Sequence, residues 1–261
     1  MIKHIFCDLD GTLYHNEINK EDSKAIFDIE KEGVQFHIAT GRVFKHAYEI
    51  TEKSINLNGY YICENGSFIY DSNHNMIFKG TIDDELVKKV ISRFDSKNAF
   101  MYFKHDGKVI LSGGEDVFKH YSDDFLLDPN FLKRDSFDNL VGNIGIVSDD
   151  VEELTRIELY LKSEFNEVLD VYFSAQYTLN IVPKNVSKRK AIEYVCELLG
   201  AKLDEIATIG DSPNDICMLE GIKYSFAMKE SRDLVKESSN YVVESVREAI
   251  ETIEKINDTE K

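Results

Sequence analysis

Short apolar segments alternate with helical patterns at both ends of the chain. Apolar runs predict strands, amphipathic stretches between them predict helices, and Gly33 and Gly200 stand where two of these helices should end. The strands are predicted at 5–7, 34–39, 60–63, 205–209, 224–228 and 241–243, and the main helices before Gly33 and at 43–54, 188–199 and 246–256. This alternation is typical of a parallel sheet covered by helices, so we predict an α/β fold.

The middle of the chain, 82–184, has a different pattern. Helical stretches are predicted at 84–94, 116–126 and 151–165, and strands at 99–103, 109–111, 143–147, 168–173 and 178–182. Asp106-Gly107 indicates a hairpin there, as Asn65-Gly66 does earlier in the chain, where it predicts a type I′ turn. We therefore predict a discontinuous domain, 1–81 and 185–261, with a self-contained α+β insertion at 82–184. The tail 257–261 is predicted to fray.

Composition and charge exclude several classes of function. A formal net charge of −17 argues against a protein that binds nucleic acids or anionic membranes in general, because both need basic patches. The four cysteines form no CxxC pair, which favours buried free thiols. No window approaches the about 18 apolar residues of a membrane span, and Asp8 and Asp10 interrupt the first apolar run. We expect a soluble cytoplasmic protein.

Two aspartates follow the first apolar run. Residues 5–13 read Ile-Phe-Cys-Asp-Leu-Asp-Gly-Thr-Leu, and alternation along a strand puts Asp8 and Asp10 on the same side. Open α/β sheets bind ligands at the carboxyl ends of their strands. Two neighbouring carboxylates repel each other, and a cation resolves the repulsion. The pair therefore indicates a Mg²⁺ site with one nucleophilic aspartate or, equally well on these residues alone, a solvated turn.

Other polar groups follow two further predicted strands. Thr40 comes after 34–39, the segment 211–215 supplies two more aspartates after 205–209, and Lys188 begins a predicted helix. The carboxyl ends of parallel strands meet at one edge of a sheet, so these groups can converge. Carboxylates suit Mg²⁺, while a lysine and a hydroxyl suit phosphoryl oxygens. Each fragment alone is typical of an ordinary turn, but their joint occurrence favours phosphoryl transfer.

In their order along the chain, these motifs resemble those of the haloacid dehalogenase-like (HAD) phosphohydrolase superfamily, and within it the Cof-type class IIB sugar-phosphatase-like subfamily. The four motifs are Phe-Cys-Asp-Leu-Asp-Gly-Thr-Leu at 6–13, Ile-Ala-Thr-Gly-Arg at 38–42, Val-Ser-Lys at 186–188 and Ile-Gly-Asp-Ser-Pro-Asn-Asp at 209–215. The resemblance implies a Rossmann-like parallel-sheet HAD core. It also implies that the insertion at 82–184 is a C2-type α+β cap that selects the substrate.

The resemblance implies a role for each matching residue. Asp8 would be the nucleophile and a metal ligand, Asp10 the general acid and base that offers its backbone carbonyl to Mg²⁺, and Asp211 a direct Mg²⁺ ligand. The residues expected to bind the phosphoryl group are Thr40, Gly41 and Lys188, and those expected to support the metal and the lysine are Asn214 and Asp215. Candidates for contacts with the rest of the substrate are Arg42, Asn65, Lys104, His105, Tyr177 and Asn180, of which the four in the insertion are equally compatible with ordinary sheet surface.

The function predicted from the sequence is that of a Mg²⁺-dependent phosphatase acting on small phosphorylated metabolites, sugar phosphates above all, through an aspartyl-phosphate intermediate. One alternative is a phosphomutase or phosphotransferase of the same superfamily. Another is a phospho-acceptor signalling module, although such modules are compact single domains and the long insertion argues against one. The expected partner is a small phosphorylated molecule, with no nucleic acid or membrane partner, and the expected assembly is a monomer or weak homodimer.

Overall fold

The computed structural model of the protein describes residues 1–55, 57–118 and 124–260. The chain divides into two compact units. The first unit is Met1–Phe78 with Ser187–Lys261, and the second is Lys79–Val186. The predicted insertion is 82–184. Among the described residues, no helix combines the length and the apolar character needed to cross a membrane.

The strands and helices of the described residues follow in chain order. The strands are β1 (His4–Cys7), β2 (Gln35–Ala39), β3 (Tyr61–Cys63), β4 (Phe68–Tyr70), β5 (Met76–Lys79), β6 (Phe100–His105), β7 (Lys108–Leu111), β8 (Leu126–Leu127), β9 (Val141–Val147), β10 (Leu169–Ala175), β11 (Thr178–Pro183), β12 (Ile206–Gly210), β13 (Tyr224–Met228) and β14 (Tyr241–Val243). The helices are α1 (Lys20–Lys31), α2 (Phe44–Thr51), α3 (Asp84–Arg93), α4 (Glu115–Phe118), α5 (Val151–Phe165), α6 (Lys188–Leu199), α7 (Ile216–Leu219), α8 (Asp233–Glu237) and α9 (Val246–Thr259).

The sheet of the first unit has the strand order β14-β13-β12-β1-β2-β3-β4-β5. The strands from β14 to β3 run parallel, and β4 is antiparallel to β3. Cys7 at the end of β1 is paired with Ile38 of β2 and with Ile209 of β12, so these three strands end at nearly the same level. From β1 the sheet grows through β2 to one side and through β12 to the other. This reversal at β1 marks the edge where α/β sheets bind ligands, and the predicted α/β fold is confirmed.

Side chains of β1 alternate between the two faces of this sheet. Ile5 and Cys7 are buried in one apolar cluster, to which α1 and α9 contribute Ile29 and Ile253. Phe6 is buried in a second cluster with Ile192 of α6. Because both faces of β1 are covered, its apolar run is continuous, as expected for a central strand of a parallel sheet.

The sheet of the second unit has the strand order β10-β11-β9-β6-β7-β8. Its neighbouring strands are antiparallel except β7 and β8, which are parallel. The predicted hairpin between β6 and β7 is present, and Asp106 and Gly107 both adopt the left-handed backbone of a type I′ turn. Helices α3 and α5 pack on one face of this sheet, where Val90 and Leu154 join Ile144 in an apolar cluster.

The predicted hairpin between β3 and β4 is present. Asn65 and Gly66 have the positive φ values of 59° and 108° that a type I′ turn needs, and the N–H of Ser67 donates to the carbonyl of Glu64 at 3.4 Å. The last strand pair is Cys63 with Phe68, so the loop between the strands has four residues.

Two local predictions are wrong. The helix predicted at 116–126 does not include Leu126, which belongs to β8; α4 covers Glu115–Phe118, and residues 119–123 lie outside the described residues. The tail does not fray at Asn257, because α9 continues to Thr259 and buries that side chain.

Candidate active site

A buried lysine joins two aspartates at the carboxyl edge of the first unit's sheet. Lys188 is the first residue of α6, whose N-terminus is capped by the hydroxyl of Ser187. Its Nζ lies 2.5 Å from Oδ1 of Asp8, directly after β1, and 2.6 Å from Oδ1 of Asp215, in the turn after β12. All three charged side chains are buried. The fold therefore brings together groups that are 27 and 180 positions from Lys188 in the sequence.

The charges of this cluster do not balance. Burial raises the pKa of Asp8, and the negative charge of Asp215 raises it further, while Lys188 opposes both. Burial alone would lower the pKa of Lys188, but the carboxylates of Asp215 and Asp8 outweigh this and raise it. Lys188 is therefore a permanent cation, and the acidic groups around it carry excess negative charge that a further cation would relieve.

Asp215 uses both carboxylate oxygens for contacts within the protein. Oδ1 accepts the bond from Lys188, and Oδ2 accepts bonds from the backbone N–H groups of Asp211 and Ser212, at 3.0 and 2.9 Å. A Cβ at Gly210 would lie 2.6 Å from the Cβ of Asp215, so this close turn requires glycine. The role of Asp215 is therefore to hold Lys188 and to shape the turn after β12.

Asp211 lies against the loop that follows β1. Its Oδ1 accepts a hydrogen bond from the hydroxyl of Thr12 and its Oδ2 one from the hydroxyl of Ser212, both at 2.7 Å. Gly11 has a φ of +83°, and a Cβ there would lie 2.5 Å from Oδ2 of Asp211. The sequence reasoning did not assign roles to Thr12 and Ser212; their positions inside the two aspartate motifs were the available signal.

The residues suited to hold a metal ion are Asp8, Asp211 and Asp215. Each offers a carboxylate oxygen, and these oxygens lie within 4.8 Å of one another. An all-oxygen donor set with excess negative charge fits Mg²⁺, which prefers one or two carboxylates and completes its coordination with water or phosphate. Oδ2 of Asp215 already accepts two backbone hydrogen bonds and its Oδ1 accepts one from the buried ammonium of Lys188. Each oxygen of Asp211 accepts only one bond, from a neutral hydroxyl, and keeps a lone pair, so Asp8 and Asp211 are the better direct ligands. Burial raises the pKa of Asp211, with a further contribution from Asp215.

Asp10 has a different partner from Asp8. Its two carboxylate oxygens accept hydrogen bonds from Nε and Nη2 of Arg42, at 2.8 and 2.7 Å, and its side chain is 48% exposed. The backbone N–H of Arg42 donates to the hydroxyl of Thr40, which is fully buried at the end of β2. The two aspartates of the first motif thus have different cationic partners: Asp8 contacts the buried ammonium of Lys188, and Asp10 contacts the partly exposed guanidinium of Arg42.

Two asparagines link the other loops at this edge. Nδ2 of Asn214 donates to Oδ1 of Asn65 at 3.0 Å, and Asn65 is buried beside Gly41. The fold therefore places at this edge the residues predicted for catalysis, the phosphoryl group and the metal, together with two of the predicted substrate contacts, Arg42 and Asn65. The first group is Asp8, Asp10, Thr40, Gly41, Lys188, Asp211, Asn214 and Asp215.

The other four predicted residues belong to the sheet of the second unit. Nε2 of the buried His105 donates to the backbone carbonyl of Phe137 at 3.0 Å, a contact that supports the fold of this unit. Lys104 and Asn180 are also buried, while Tyr177 is exposed in the turn between β10 and β11. The sequence reasoning did not single out Asn143, a fully buried residue opposite Lys104 whose amide has no hydrogen-bond partner among the described residues.

Comparisons with known proteins point to one family. The family model described as haloacid dehalogenase-like hydrolase matches residues 5–252. Among curated proteins, the 5-amino-6-(5-phospho-D-ribitylamino)uracil phosphatase YcsE of Bacillus subtilis is 30% identical over 94% of this chain and 90% of its own. A second B. subtilis protein of the same function name, YwtE, is 26% identical over 94% of this chain and 93% of its own.

Solved structures share the fold over almost the whole chain. The Thermotoga maritima protein TM0651 has a TM-score of 0.82 and 25% identity, with 97% of each chain covered. The HAD subclass IIB sugar phosphatase BT4131 has a TM-score of 0.81 and 22% identity, with 98% of this chain and 99% of its own covered. The second likeness, at this low identity, concerns the fold alone.

Proposed function

Because the chain belongs to the haloacid dehalogenase-like hydrolases and is a phosphatase, we propose that it hydrolyses small phosphorylated metabolites, sugar phosphates above all, with Mg²⁺ and through an aspartyl-phosphate on Asp8. The observation that carries this proposal is the contact of Asp8 with Lys188 directly after β1, the strand at which the direction of the strand order reverses. A carboxylate there can attack phosphorus, because the neighbouring ammonium offsets the charge of the approaching phosphate.

In the first step, Asp8 attacks the phosphorus atom and the bond from phosphorus to the ester oxygen breaks. Asp10 gives its proton to the departing oxygen, so the leaving group departs as a neutral alcohol. Arg42 holds the carboxyl group of Asp10 through two parallel hydrogen bonds, a geometry that fixes its orientation. The products of this step are the free alcohol and phosphorylated Asp8.

In the second step, Asp10 removes a proton from a water molecule that attacks the same phosphorus atom. The bond between phosphorus and Asp8 breaks, orthophosphate leaves and both aspartates return to their starting states. Thr40 and Lys188 bind the phosphoryl oxygens throughout. Asp8 and Asp211 would hold Mg²⁺, which would supply positive charge for the phosphoryl group.

We assign to the second unit the role of a C2-type cap that selects the substrate. Lys104, Tyr177 and Asn180 are the candidates for contacts with the leaving group, and His105 is less suited because it already bonds to Phe137. The names of the two B. subtilis relatives describe a phosphorylated ribitylamino compound. A phosphorylated polyol is therefore included with hexose and pentose phosphates among the candidate substrates.

The decisive experiment is hydrolysis of a panel of phosphate esters by the wild-type chain and by Asp8→Asn. We expect Asp8→Asn to lower kcat by about 10³-fold or more while circular dichroism shows an intact fold, because the nucleophile is lost. Asp28→Asn, on the half-exposed surface of α1, is the matched control and should keep full activity. Substantial turnover by Asp8→Asn would contradict the mechanism, and transfer of phosphate to an added sugar would favour a phosphotransferase.

The metal is tested without substrate. We expect Mg²⁺ to raise the Tm of the metal-free protein. At a concentration one hundred times its Kd, the ion should add about 2.7 kcal/mol to the free energy of unfolding. Asp211→Asn should abolish this rise because it removes a direct ligand. A rise of the same size in Asp211→Asn would contradict the proposed metal site.

A further inference from the structure

The loop between β3 and β4 has an unusual backbone. Three consecutive residues, Glu64, Asn65 and Gly66, have positive φ values of 53°, 59° and 108°. Non-glycine residues rarely adopt this left-handed conformation, and a run of such residues persists only where the surroundings hold it in place. The contacts of this loop therefore identify what holds it.

The backbone of the loop is tied to the turn after β2. The N–H of Glu64 donates to the carbonyl of Arg42 at 2.9 Å, and the N–H of Asn65 donates to the carbonyl of Thr40 at 3.0 Å. On the other side, a Cβ at Gly66 would lie 2.4 Å from the carbonyl oxygen of Ser187, the residue that caps α6 before Lys188. The loop thus contacts the segments that present the phosphate-binding hydroxyl and the lysine.

The side chain of Asn65 reaches a third segment. Its Oδ1 accepts the hydrogen bond from Nδ2 of Asn214, which directly precedes Asp215. A Cβ at Gly41 would lie 3.3 Å from this same oxygen, so a glycine leaves room for the amide. Asn65 itself is 2% exposed. One buried amide therefore joins the turn after β2 to the turn after β12.

We infer that Asn65 is a positioning residue for the proposed phosphatase reaction, on which this inference rests. It fixes the turn that carries Thr40 against the turn that carries Asp215. Because Asp215 in turn holds Lys188 beside Asp8, the amide sets the geometry of the phosphoryl-binding groups relative to the nucleophile. A misplacement of about 1 Å in such groups is enough to slow a reaction about 10²-fold.

The test is Asn65→Gly, which removes the amide and still accepts a left-handed backbone. We expect kcat to fall between about tenfold and hundredfold, with KM changed less than about twofold, because the lost contact orients catalytic groups and leaves the substrate's leaving group untouched. Asn214→Ala removes the donor of the same hydrogen bond and should lower kcat by the same factor. The double variant should be no slower than either single variant, because both remove one interaction.

The matched control is Asn139→Gly in the second unit. Asn139 also has a left-handed backbone, and its Oδ1 also accepts one hydrogen bond, from the N–H of Asp84. This variant should keep the wild-type kcat, whatever its effect on Tm. An Asn65→Gly protein with wild-type kcat, or losses that add in the double variant, would overturn the inference alone. A wild-type protein that hydrolyses no phosphate ester would overturn the proposed function as well.

Discussion

At the level of single residues, the site depends on Lys188. Among the described residues, it is the only positive charge that contacts both Asp8 and Asp215. A buried ion pair contributes little net stability, since desolvation offsets the attraction. The loss of one partner is costly, because it leaves the other charges buried and unpaired. The residue that makes the proposed chemistry possible is therefore also one that the fold cannot easily lose.

We predict that Lys188→Met lowers the free energy of unfolding by about 3–5 kcal/mol at neutral pH without metal. The loss should shrink as the pH falls, because burial and the charge of Asp215 raise the pKa of Asp8 and the lysine that opposes this is gone, so the folded variant keeps a proton on Asp8 that the unfolded chain releases. Urea unfolding at several pH values measures this. Lys184→Met removes an exposed ion pair with Asp170 and should change stability by less than about 1 kcal/mol.

At the level of elements, α9 is held to the start of the chain by one side chain. The buried amide of Asn257 accepts from the N–H of Ile2 at 2.6 Å and donates to its carbonyl at 2.9 Å, just before β1 begins. Local polarity of the last residues favoured a frayed tail, and this contact across 255 positions overrides it. The last helix therefore supports β1, the strand that precedes Asp8, the proposed nucleophile.

We predict that Asn257→Ala lowers the free energy of unfolding by about 1–3 kcal/mol, because both backbone groups of Ile2 lose their partner in a buried place. Thermal or urea unfolding measures the change. Lys255→Ala, on the exposed side of the same helix, is the control and should stay within about 0.5 kcal/mol of the wild type. Equal effects of the two substitutions would mean that the contact with Ile2 contributes nothing.

At the level of the whole molecule, a buried histidine makes the stability depend on pH. Nδ1 of His37 accepts from the N–H of Tyr60 at 2.9 Å, so Nε2 carries the proton that is shared with Nδ1 of His4. The ring is fully buried and stacks on Phe6. Burial, and to a lesser degree the charge of His4, lowers the pKa of His37 well below 6.5. Below about pH 6.5 the unfolded chain therefore binds a proton that the folded chain does not.

We predict that His37 contributes a fall in stability of at most about 1.4 kcal/mol per pH unit as the pH drops below about 6.5, and that the raised pKa values of Asp8 and Asp211 contribute with the opposite sign. His37→Gln keeps an acceptor for the N–H of Tyr60 and should flatten this slope between pH 5 and 7. His15→Gln removes an exposed histidine and should leave the slope as it is. Urea unfolding at each pH measures the slopes, and parallel curves for His37→Gln and the wild type would contradict the assignment.

The division into two units leads to a prediction on specificity. We expect that exchange of the segment 82–184 for that of a relative changes the ranking of substrates by kcat/KM, while Mg²⁺ still raises the Tm. The reason is that the lysine and the carboxylates proposed to hold the metal all belong to the first unit. An unchanged ranking would show that the second unit does not select the substrate.

The amino-acid sequence by itself predicted the elements whose patterns are local. The helix at 151–165 and the strands at 224–228 and 241–243 have the predicted bounds, because period and caps are properties of neighbouring residues. The sequence also predicted that Asp8, Thr40, Lys188 and Asp211 meet, since parallel strands end at one edge. The family resemblance built on those motifs is confirmed.

Only the tertiary structure decided which partner each charged group has. No local pattern shows that Asp8 pairs with Lys188 while Asp10 pairs with Arg42, because these partners come from distant segments. The same holds for Glu64: the Asn-Gly pair itself favours a left-handed turn, but the positive φ of Glu64 accompanies a hydrogen bond from its N–H to the carbonyl of Arg42 in a distant turn. Local propensities are small compared with such long-range contacts, and the contacts prevail where the two disagree.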